Sequence, residues 1–270
     1  GGKVNMAAKV GKDPFGQHLI ELLQTMGVNT NWVLQDPNYF TTLAFVSLME
    51  DGERDFYFNR GADGQLSPND LTALNISDYG IVHFGSATAF LPGPLQTTYT
   101  HLLAEAKSNN IIVSFDPNYR HLLFQNNSQS FIEQCWPFIE QCHFFKLSEE
   151  EALLITACNS VQDAAAALRK KTSAVFAITL GKEGTLFSLE DHLEIIGSIN
   201  ITPIDATGAG DAFVGAVLYQ LISYDPSQLS KIDLAEWKKI IFNANKAGAR
   251  TCEYMGAMEA FKHLSKAIFE

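Results

Sequence analysis

The chain has 270 residues and a formal net charge of −11, with 46% hydrophobic and 18% charged residues. These proportions are typical of a folded globular protein, since a disordered chain has fewer apolar residues and more net charge per residue. The acidic balance argues against nucleic acid as a partner, because neutralising phosphates needs clustered lysine and arginine. No segment approaches the roughly 20 apolar residues of a membrane helix, and the N-terminus lacks the apolar stretch of a signal peptide. We therefore expect a cytoplasmic protein with neither a nucleic-acid nor a membrane partner.

The four cysteines are Cys135, Cys142, Cys158 and Cys252. No pair has C-x-x-C spacing, and no histidine pair stands at the spacing of metal ligands. Free thiols in a reducing compartment are therefore expected, rather than a structural zinc site or a disulfide framework.

The first third of the chain predicts one helix and one β-hairpin. Residues 13–27 begin with Asp-Pro and place their leucines on one face of a 3.6-residue period, which predicts a capped amphipathic helix. Two β-rich runs, 41–49 and 54–59, flank Asp51-Gly52, and such a pair between such runs predicts a hairpin.

From residue 79 onward, apolar strand-like runs alternate with helical patterns. Strands are predicted at 81–85, 111–115, 143–146, 174–180, 185–187 and 192–196. Helices are predicted at 95–109, 130–140, 149–157, 161–170, 211–223 and 234–250. Continuous apolar strands that alternate with helices indicate a mainly parallel sheet covered by helices on both faces. Ligands of such sheets bind outside the carboxyl ends of the strands.

The most informative motif is DATGAGD at 205–211, which follows the apolar residues 201–204 and opens a predicted helix. Gly208, Ala209 and Gly210 leave backbone N–H groups unobstructed, and with the helix dipole they predict an anion cradle. Asp211 in the first turn fits a general base that accepts a proton from an incoming hydroxyl, as phosphoryl transfer requires. The alternative, on spacing alone, is a glycine-rich turn whose aspartate stabilises the helix dipole. The Walker and Rossmann motifs both fail to match.

The motif resembles the D-T-x-G-A-G-D signature of the ribokinase-like sugar kinases, the pfkB family of carbohydrate kinases. The resemblance implies that Asp211 is the catalytic base and that the amides of 208–211 hold the transferring phosphoryl group. Alanine at 206 departs from the usual threonine or serine of the family. The resemblance also implies activation by K⁺ near Asp205.

Further segments resemble the parts of this family that bind Mg²⁺ and ATP. TLGKEG at 179–184 is similar to its T-x-G-x-x-G nucleotide loop, and 244–249 with 256–257 resemble the segments that flank adenine. SEEE at 148–151 resembles its N-x-x-E element, with serine in place of asparagine. The implied nucleotide-binding residues are Ser148, Thr179, Gly181, Gly184, Asn245 and Gly248, and the implied metal residue is Glu151. Without the resemblance, 179–184 fits a β-hairpin turn and 149–151 fits a solvated helix start.

The sugar-binding side resembles fructokinases. KVGKDPFG at 9–16 is similar to the family's G-x-V-G-x-D-x-F-G segment, and parts of 43–63 resemble the fructokinase lid. SFDPNYR at 114–120 is similar to the D-P-N-x-R strand end of fructokinases and 2-keto-3-deoxygluconate kinases. The implied sugar-binding residues are Arg60, Asn118, Arg120 and Asp211. Either arginine fits equally well as a surface or ion-paired residue. Neither arginine indicates whether the substrate is fructose or ketodeoxygluconate, because an arginine would also suit the carboxylate of a keto-acid sugar.

The resemblance implies a ribokinase-like three-layer α/β fold, with a core formed by residues 1–29 and 63–270 and a β lid at 30–62. The implied reaction is ATP- and Mg²⁺-dependent phosphorylation of the primary hydroxyl of a ketose, with fructose as the expected substrate. The alternatives are a 2-keto-3-deoxygluconate kinase, another sugar or nucleoside kinase, and a non-catalytic relative. A homodimer formed through the lid is also implied.

The first residues, GGKVNMA, imitate the family's early G-G-x-x-x-N-x-A sugar-binding signature. The segment at 9–16 follows them immediately, whereas the genuine signature stands about one helix further upstream. The resemblance therefore predicts that the family's first strand, first helix, and sugar-binding Asp and Asn lie before Gly1.

Overall fold

The computed structural model describes residues 2–48, 54–85, 87–124, 127–264 and 266–269. The strands are β1 (Asn5–Gly11), β2 (Asn29–Asp36), β3 (Leu43–Leu48), β4 (Arg54–Asn59), β5 (Ile81–Gly85), β6 (Ile112–Asp116), β7 (Phe144–Ser148), β8 (Val175–Thr179), β9 (Thr185–Leu189) and β10 (His192–Ile196). The α-helices are α1 (Pro14–Thr25), α2 (Pro94–Ser108), α3 (His121–Phe124), α4 (Ser128–Gln141), α5 (Glu149–Thr156), α6 (Val161–Arg169), α7 (Ala209–Leu221), α8 (Pro226–Leu229) and α9 (Leu234–Thr251). Short 3₁₀ turns connect several of them.

The central sheet has six strands in the order β10-β9-β8-β7-β6-β5. Strands β5 to β8 are parallel, and β9 and β10 continue the sheet as an antiparallel meander. Every residue of β6 is buried, as expected for a parallel strand covered on both faces. The prediction of a mainly parallel, three-layer α/β fold is confirmed.

Alternate side chains of the central strands enter two separate apolar cores. Phe115, Phe145 and Phe176 pack with residues of α2, α4, α5 and α6 on one face. Phe144 and Ala177 pack with residues of α7 and α9 on the other face. Because these strands are parallel, their carboxyl ends lie at one edge of the sheet, and the first turn of α7 lies beside that edge.

Two smaller sheets accompany the central one. Strands β1 and β2 pair in parallel, and β3 and β4 pair as the predicted antiparallel hairpin, whose turn at 50–52 lies outside the described residues. Strand β2 falls within the predicted lid at 30–62, although its partner β1 falls within the predicted core. In the described part of the chain, no strand pairs with the outer side of β5 or with the side of β1 away from β2. Residues of both strands line one cavity of about 530 Å³.

The apolar stretch at 201–204 does not form the strand that its context predicts. Pro203 interrupts it, and proline supplies no N–H for a strand ladder. The amides of Ile204 and Asp205 instead both donate to the carbonyl of Cys252, at 2.7 and 3.2 Å. The segment that leads into α7 is therefore tied to the end of α9.

The cysteines form no disulfide in the parts that the structure covers. All four cysteines are free thiols, as predicted, and Cys135 and Cys142 are buried. Across the described residues, no cluster of His, Cys, Asp and Glu side chains could enclose a metal ion. In the same residues, no helix combines the length and the apolar character needed to span a bilayer.

Candidate active site

The glycine-rich turn before α7 has the backbone geometry that the predicted anion cradle requires. Gly208 has a φ of +82° and precedes the helix as its N-cap, a backbone conformation that favours glycine. A Cβ at position 208 would also lie 2.8 Å from the Cβ of Ala257. The amide of Ala209 donates to the carbonyl of Ala206 at 3.2 Å. The amides of Gly208, Gly210 and Asp211 therefore remain for an anion, since first-turn N–H groups have no partner within the helix.

The Asp205 carboxylate shapes the loop that leads into this turn. One of its oxygens accepts hydrogen bonds from the amide and the hydroxyl of Thr207, at 2.9 and 2.7 Å. The other accepts from the amide of Gly256 at 2.9 Å. Asp205 is buried and joins two loops. Ala206, where the motif departs from the family's signature, is exposed beside it.

A buried ion pair lies at the carboxyl ends of β6 and β7. The Lys146 Nζ atom lies 3.3 and 3.2 Å from the two carboxylate oxygens of Asp116. Loss of solvent, together with the negative charges of Glu151 and Asp211, raises the pKa of Asp116 to about 6 against the opposing effect of Lys146. Loss of solvent acts to lower the pKa of Lys146, but Asp116, Glu151 and Asp211 raise it above its ordinary value. The Lys146 ammonium therefore stays charged.

Glu151 bridges the start of α5 and the loop after β6. One carboxylate oxygen accepts from the amide of Ser148 and the other from the amide of Tyr119, both at 2.7 Å. The hydroxyl of Ser148 accepts from the amide of Glu151 at 3.2 Å, which completes a capping box. The predicted binding roles of Ser148 and Glu151 stay predictions, because the contacts seen are those of a helix cap.

This acidic corner fits a magnesium–nucleotide complex. Three carboxylates, those of Asp116, Glu151 and Asp211, share the region with one ammonium, that of Lys146. Mg²⁺ in such sites keeps several waters and is held by one or two carboxylates together with substrate phosphates. Each Glu151 oxygen retains a lone pair for a bound water, since a carboxylate oxygen can accept two hydrogen bonds.

Of the predicted nucleotide residues, Thr179 ends β8, and Gly181 and Gly184 lie in the tight turn between β8 and β9. Gly184 has a φ of +102°, and a Cβ there would meet the carbonyl oxygen of Ile196 at 2.2 Å. The leucine amide that follows Thr179 donates to the Gly184 carbonyl at 2.8 Å. The structure thus forms the hairpin turn that residue types alone favoured, and its contact with a nucleotide stays a prediction.

Two further predicted nucleotide residues, Asn245 and Gly248, are buried on α9. The side-chain amide of Asn245 donates to the Ile196 carbonyl at 2.8 Å and its oxygen accepts from the Thr185 hydroxyl at 2.6 Å. A Cβ at Gly248 would lie 3.0 Å from the Ala209 carbonyl oxygen. Both residues fix α9 against its neighbours, and their role in nucleotide binding stays a prediction.

Three of the predicted sugar-side residues, Asn118, Arg120 and Asp211, line the 530 Å³ cavity. Arg60 does not line it. Its guanidinium donates to the carbonyls of Pro92 and Thr88, at 2.8 and 3.1 Å, and its Nε lies 3.7 Å from Asp63. Of the two arginines, Arg120 therefore has the position of a substrate contact, and Arg60 has that of an anchor for the chain around it.

Sequence reasoning missed His83, Asp116 and Lys146 as members of the site. His83 faces the same cavity, and its Nδ1 lies 3.2 Å from the Ser114 hydroxyl. Loss of solvent, and to a smaller extent the Lys146 charge, lowers the pKa of His83 to about 4, so the ring is neutral near pH 7. Their place in the predicted strands could have indicated these residues, because all three lie at or near strand ends on one side of the sheet.

Comparisons with known proteins agree with this geometry. The family model described as pfkB family carbohydrate kinase matches residues 1–264. Fructokinase-1 of Zea mays is 34% identical over 261 residues, which cover 96% of this chain and 79% of that protein. Fructokinase from Vibrio cholerae O395, solved with fructose, ADP and a calcium ion, superposes with a TM-score of 0.86 at 27% identity, over 99% of this chain and 84% of that one. Aminoimidazole riboside kinase from Salmonella enterica, solved with aminoimidazole riboside and an ATP analogue, gives 0.84 at 25% identity, over 97% and 83%.

Proposed function

The chain belongs to the pfkB family of carbohydrate kinases, and we propose that it transfers the γ-phosphoryl group of ATP to the primary hydroxyl of a ketose, with fructose as the first candidate. The enzyme class, a phosphotransferase with an alcohol group as acceptor, follows from the family. The observation that carries the finer proposal is that Asp211, the last residue of the Gly208–Asp211 turn, lines one cavity together with Asn118 and Arg120.

Each residue has a defined task in this reaction. Asp211 accepts the proton of the attacking hydroxyl as the new O–P bond forms and the bond to ADP breaks. The amides of the cradle donate hydrogen bonds to the transferring group, whose negative charge is spread over its equatorial oxygens. Asn118 and Arg120 supply donors for sugar hydroxyls. A divalent cation, when bound with ATP, neutralises phosphate charge, and Glu151 would hold it through a water molecule.

A nucleoside acceptor is the second candidate, since the Salmonella enterica relative was solved with aminoimidazole riboside. 2-Keto-3-deoxygluconate remains a third, because Arg120 would pair equally well with a carboxylate. A non-catalytic relative is disfavoured by the retention of both the cradle and Asp211.

The test is ADP release with fructose, ketodeoxygluconate, ribose and aminoimidazole riboside as separate acceptors, with the product identified by NMR. We expect the highest kcat/KM with fructose and phosphorylation at its C6 hydroxyl. A higher kcat/KM with another acceptor would reassign the substrate. ATP turnover that no acceptor stimulates would favour the non-catalytic alternative.

Two further expectations belong to the same proposal. A monovalent cation site near Asp205 predicts faster turnover in KCl than in an equal concentration of choline chloride.

A dimer formed through the lid is supported by the exposed cross-strand pair of Phe45 and Tyr57, which are 53% and 71% exposed on the β3–β4 hairpin. Sedimentation should give twice the monomer mass, and Tyr57→Ser should shift it toward the monomer.

A further inference from the structure

Lys146 is a buried lysine that no step above uses. It lies on β7 with only 6% of its surface exposed, and a buried ammonium is costly unless nearby groups compensate it. A Cβ at Gly210 would lie 3.2 Å from its Nζ atom. The lysine thus brings a positive charge directly beneath the first turn of α7.

The helix end opposes the charge of Lys146, although the three nearby carboxylates more than compensate for this effect. The N-terminus of a helix carries positive partial charge, so cations are stabilised at the other end. The Nζ–Oδ distances to Asp116 are 3.2 and 3.3 Å, longer than the roughly 2.7–2.9 Å of a strong charge-assisted hydrogen bond. The Lys146 ammonium can therefore interact with negative groups other than Asp116.

The charged and titratable groups around Lys146 come from four elements. Asp116 belongs to β6, Glu151 to α5 and Asp211 to α7, and all three carboxylates attract it. His83 on β5 is neutral near pH 7. An anion bound at the cradle would add a further negative partner near Gly210, beside which the ammonium lies.

We propose that Lys146 is a positioning residue of the phosphoryl-transfer site, whose ammonium, held by Asp116 under Gly210, supplies a fixed positive charge to the anion bound by the Gly208–Asp211 cradle. This inference rests on the proposed kinase function. It gives Asp116 a supporting task, which is to hold the lysine in place beneath the cradle.

The first test is Lys146→Met, which keeps the length of the side chain and removes its charge. We expect kcat to fall by about 10–150-fold, the range of one lost charged hydrogen bond, with the sugar KM changed by less than about threefold. Lys146→Arg, which retains the charge, should recover most of the loss. Lys238→Met is the control, because that lysine pairs with Glu194 on the surface, and its kcat should match the wild type.

A double variant separates charge from folding, because Lys146→Met leaves Asp116 buried and unpaired. Asp116→Asn combined with Lys146→Met removes both charges and the unpaired carboxylate. If the lysine acts on the bound anion, the folded double variant stays at least about tenfold slower in kcat than Asp116→Asn alone. Equal kcat values for these two variants would overturn the proposal and leave Lys146 with a structural role only.

A binding measurement distinguishes failure of this proposal from failure of the proposed function. The probe is Mg·ADP with aluminium fluoride, which imitates the transferring phosphoryl group and requires no sugar turnover. We expect aluminium fluoride to tighten ADP binding in the wild type and in Lys238→Met, but not in Lys146→Met. Tightening in all three overturns the role of Lys146, even if no sugar proves to be a substrate. No tightening in the wild type overturns both proposals.

Discussion

The site has two halves of different construction. On the phosphoryl side, β6 is buried throughout, and Asp116, Lys146 and Glu151 are each at most 6% exposed. On the acceptor side, β1 borders the cavity with Met6 44% exposed, and β5 presents Gly85 as an exposed residue. Buried, partnered groups cannot reorient cheaply, whereas exposed ones can. The half proposed to perform the chemistry is therefore preorganised, and the half proposed to select the acceptor is open.

The largest expected effect is that of replacing Asp211, which lies where the two halves meet. Asp211→Asn should lower kcat by about 10²–10⁴-fold, because it removes the proton acceptor. ATP affinity, measured by calorimetry, should change little, since the amide cradle remains. Asp225→Asn, a helix cap remote from the cavity, is the control, since asparagine caps as well as aspartate. Near-normal turnover in Asp211→Asn would exclude the residue as the base.

The open half is tested by comparing its two arginines. Arg120→Ala should raise the sugar KM by about 10–150-fold, the range for one lost charged hydrogen bond, with much less effect on the ATP KM. Arg60→Ala removes bonds to the Pro92 and Thr88 carbonyls and should instead lower the melting temperature. A selective rise in sugar KM for Arg60→Ala, with none for Arg120→Ala, would reverse this assignment.

The buried half is tested at Glu151. Glu151→Gln places an amide NH₂ against one of two backbone N–H donors and should destabilise the fold by about 1–3 kcal/mol, as for one unsatisfied buried group. If the carboxylate also serves the cation, the Mg²⁺ concentration for half-maximal activity should rise. Glu150→Gln is the matched control, since Glu150 is exposed on the same turn. Equal Mg²⁺ requirements in both variants would leave Glu151 as a helix cap only.

The smallest expected effect concerns Asp13, the N-cap of α1. The amides of Gly16 and then Thr41 donate to its carboxylate and lower its pKa. Such a group contributes stability above its unfolded pKa of about 4, and that contribution is lost as the pH falls through the lower folded value. The melting temperatures of the wild type and Asp13→Asn should therefore converge below about pH 4. A difference in melting temperature that is as large at pH 3 as at pH 7 would exclude this linkage. The control is Asp233→Asn, which changes the cap of α9.

The buried half was also the easier one to predict from sequence. The apolar runs of β5 to β8 and the glycine-rich turn before α7 were recognisable because local pattern and fold agree there. Strands β1 and β2 were missed because their apolar residues do not alternate with polar ones; in β2 the apolar residues are the consecutive run 32–34. The Asp116–Lys146 pair was missed for another reason: its members are 30 positions apart in the chain, and only strand register brings them together. The role of Arg60 was left open between a sugar contact and an ion-paired residue, because the sequence around an arginine does not reveal which carbonyls its guanidinium will contact.

The Glu151 carboxylate joins two backbone segments that are proposed to serve different ligands. Through Ser148 it holds the start of α5, near the predicted cation, and through Tyr119 it holds the loop that carries Asn118 and Arg120. A cation that draws on this carboxylate would therefore change the free energy of the sugar-binding loop. Thermodynamic linkage then requires reciprocity, so that sugar would alter cation affinity by the same factor. Through this one side chain, the binding of the cation and the binding of the sugar would become coupled equilibria.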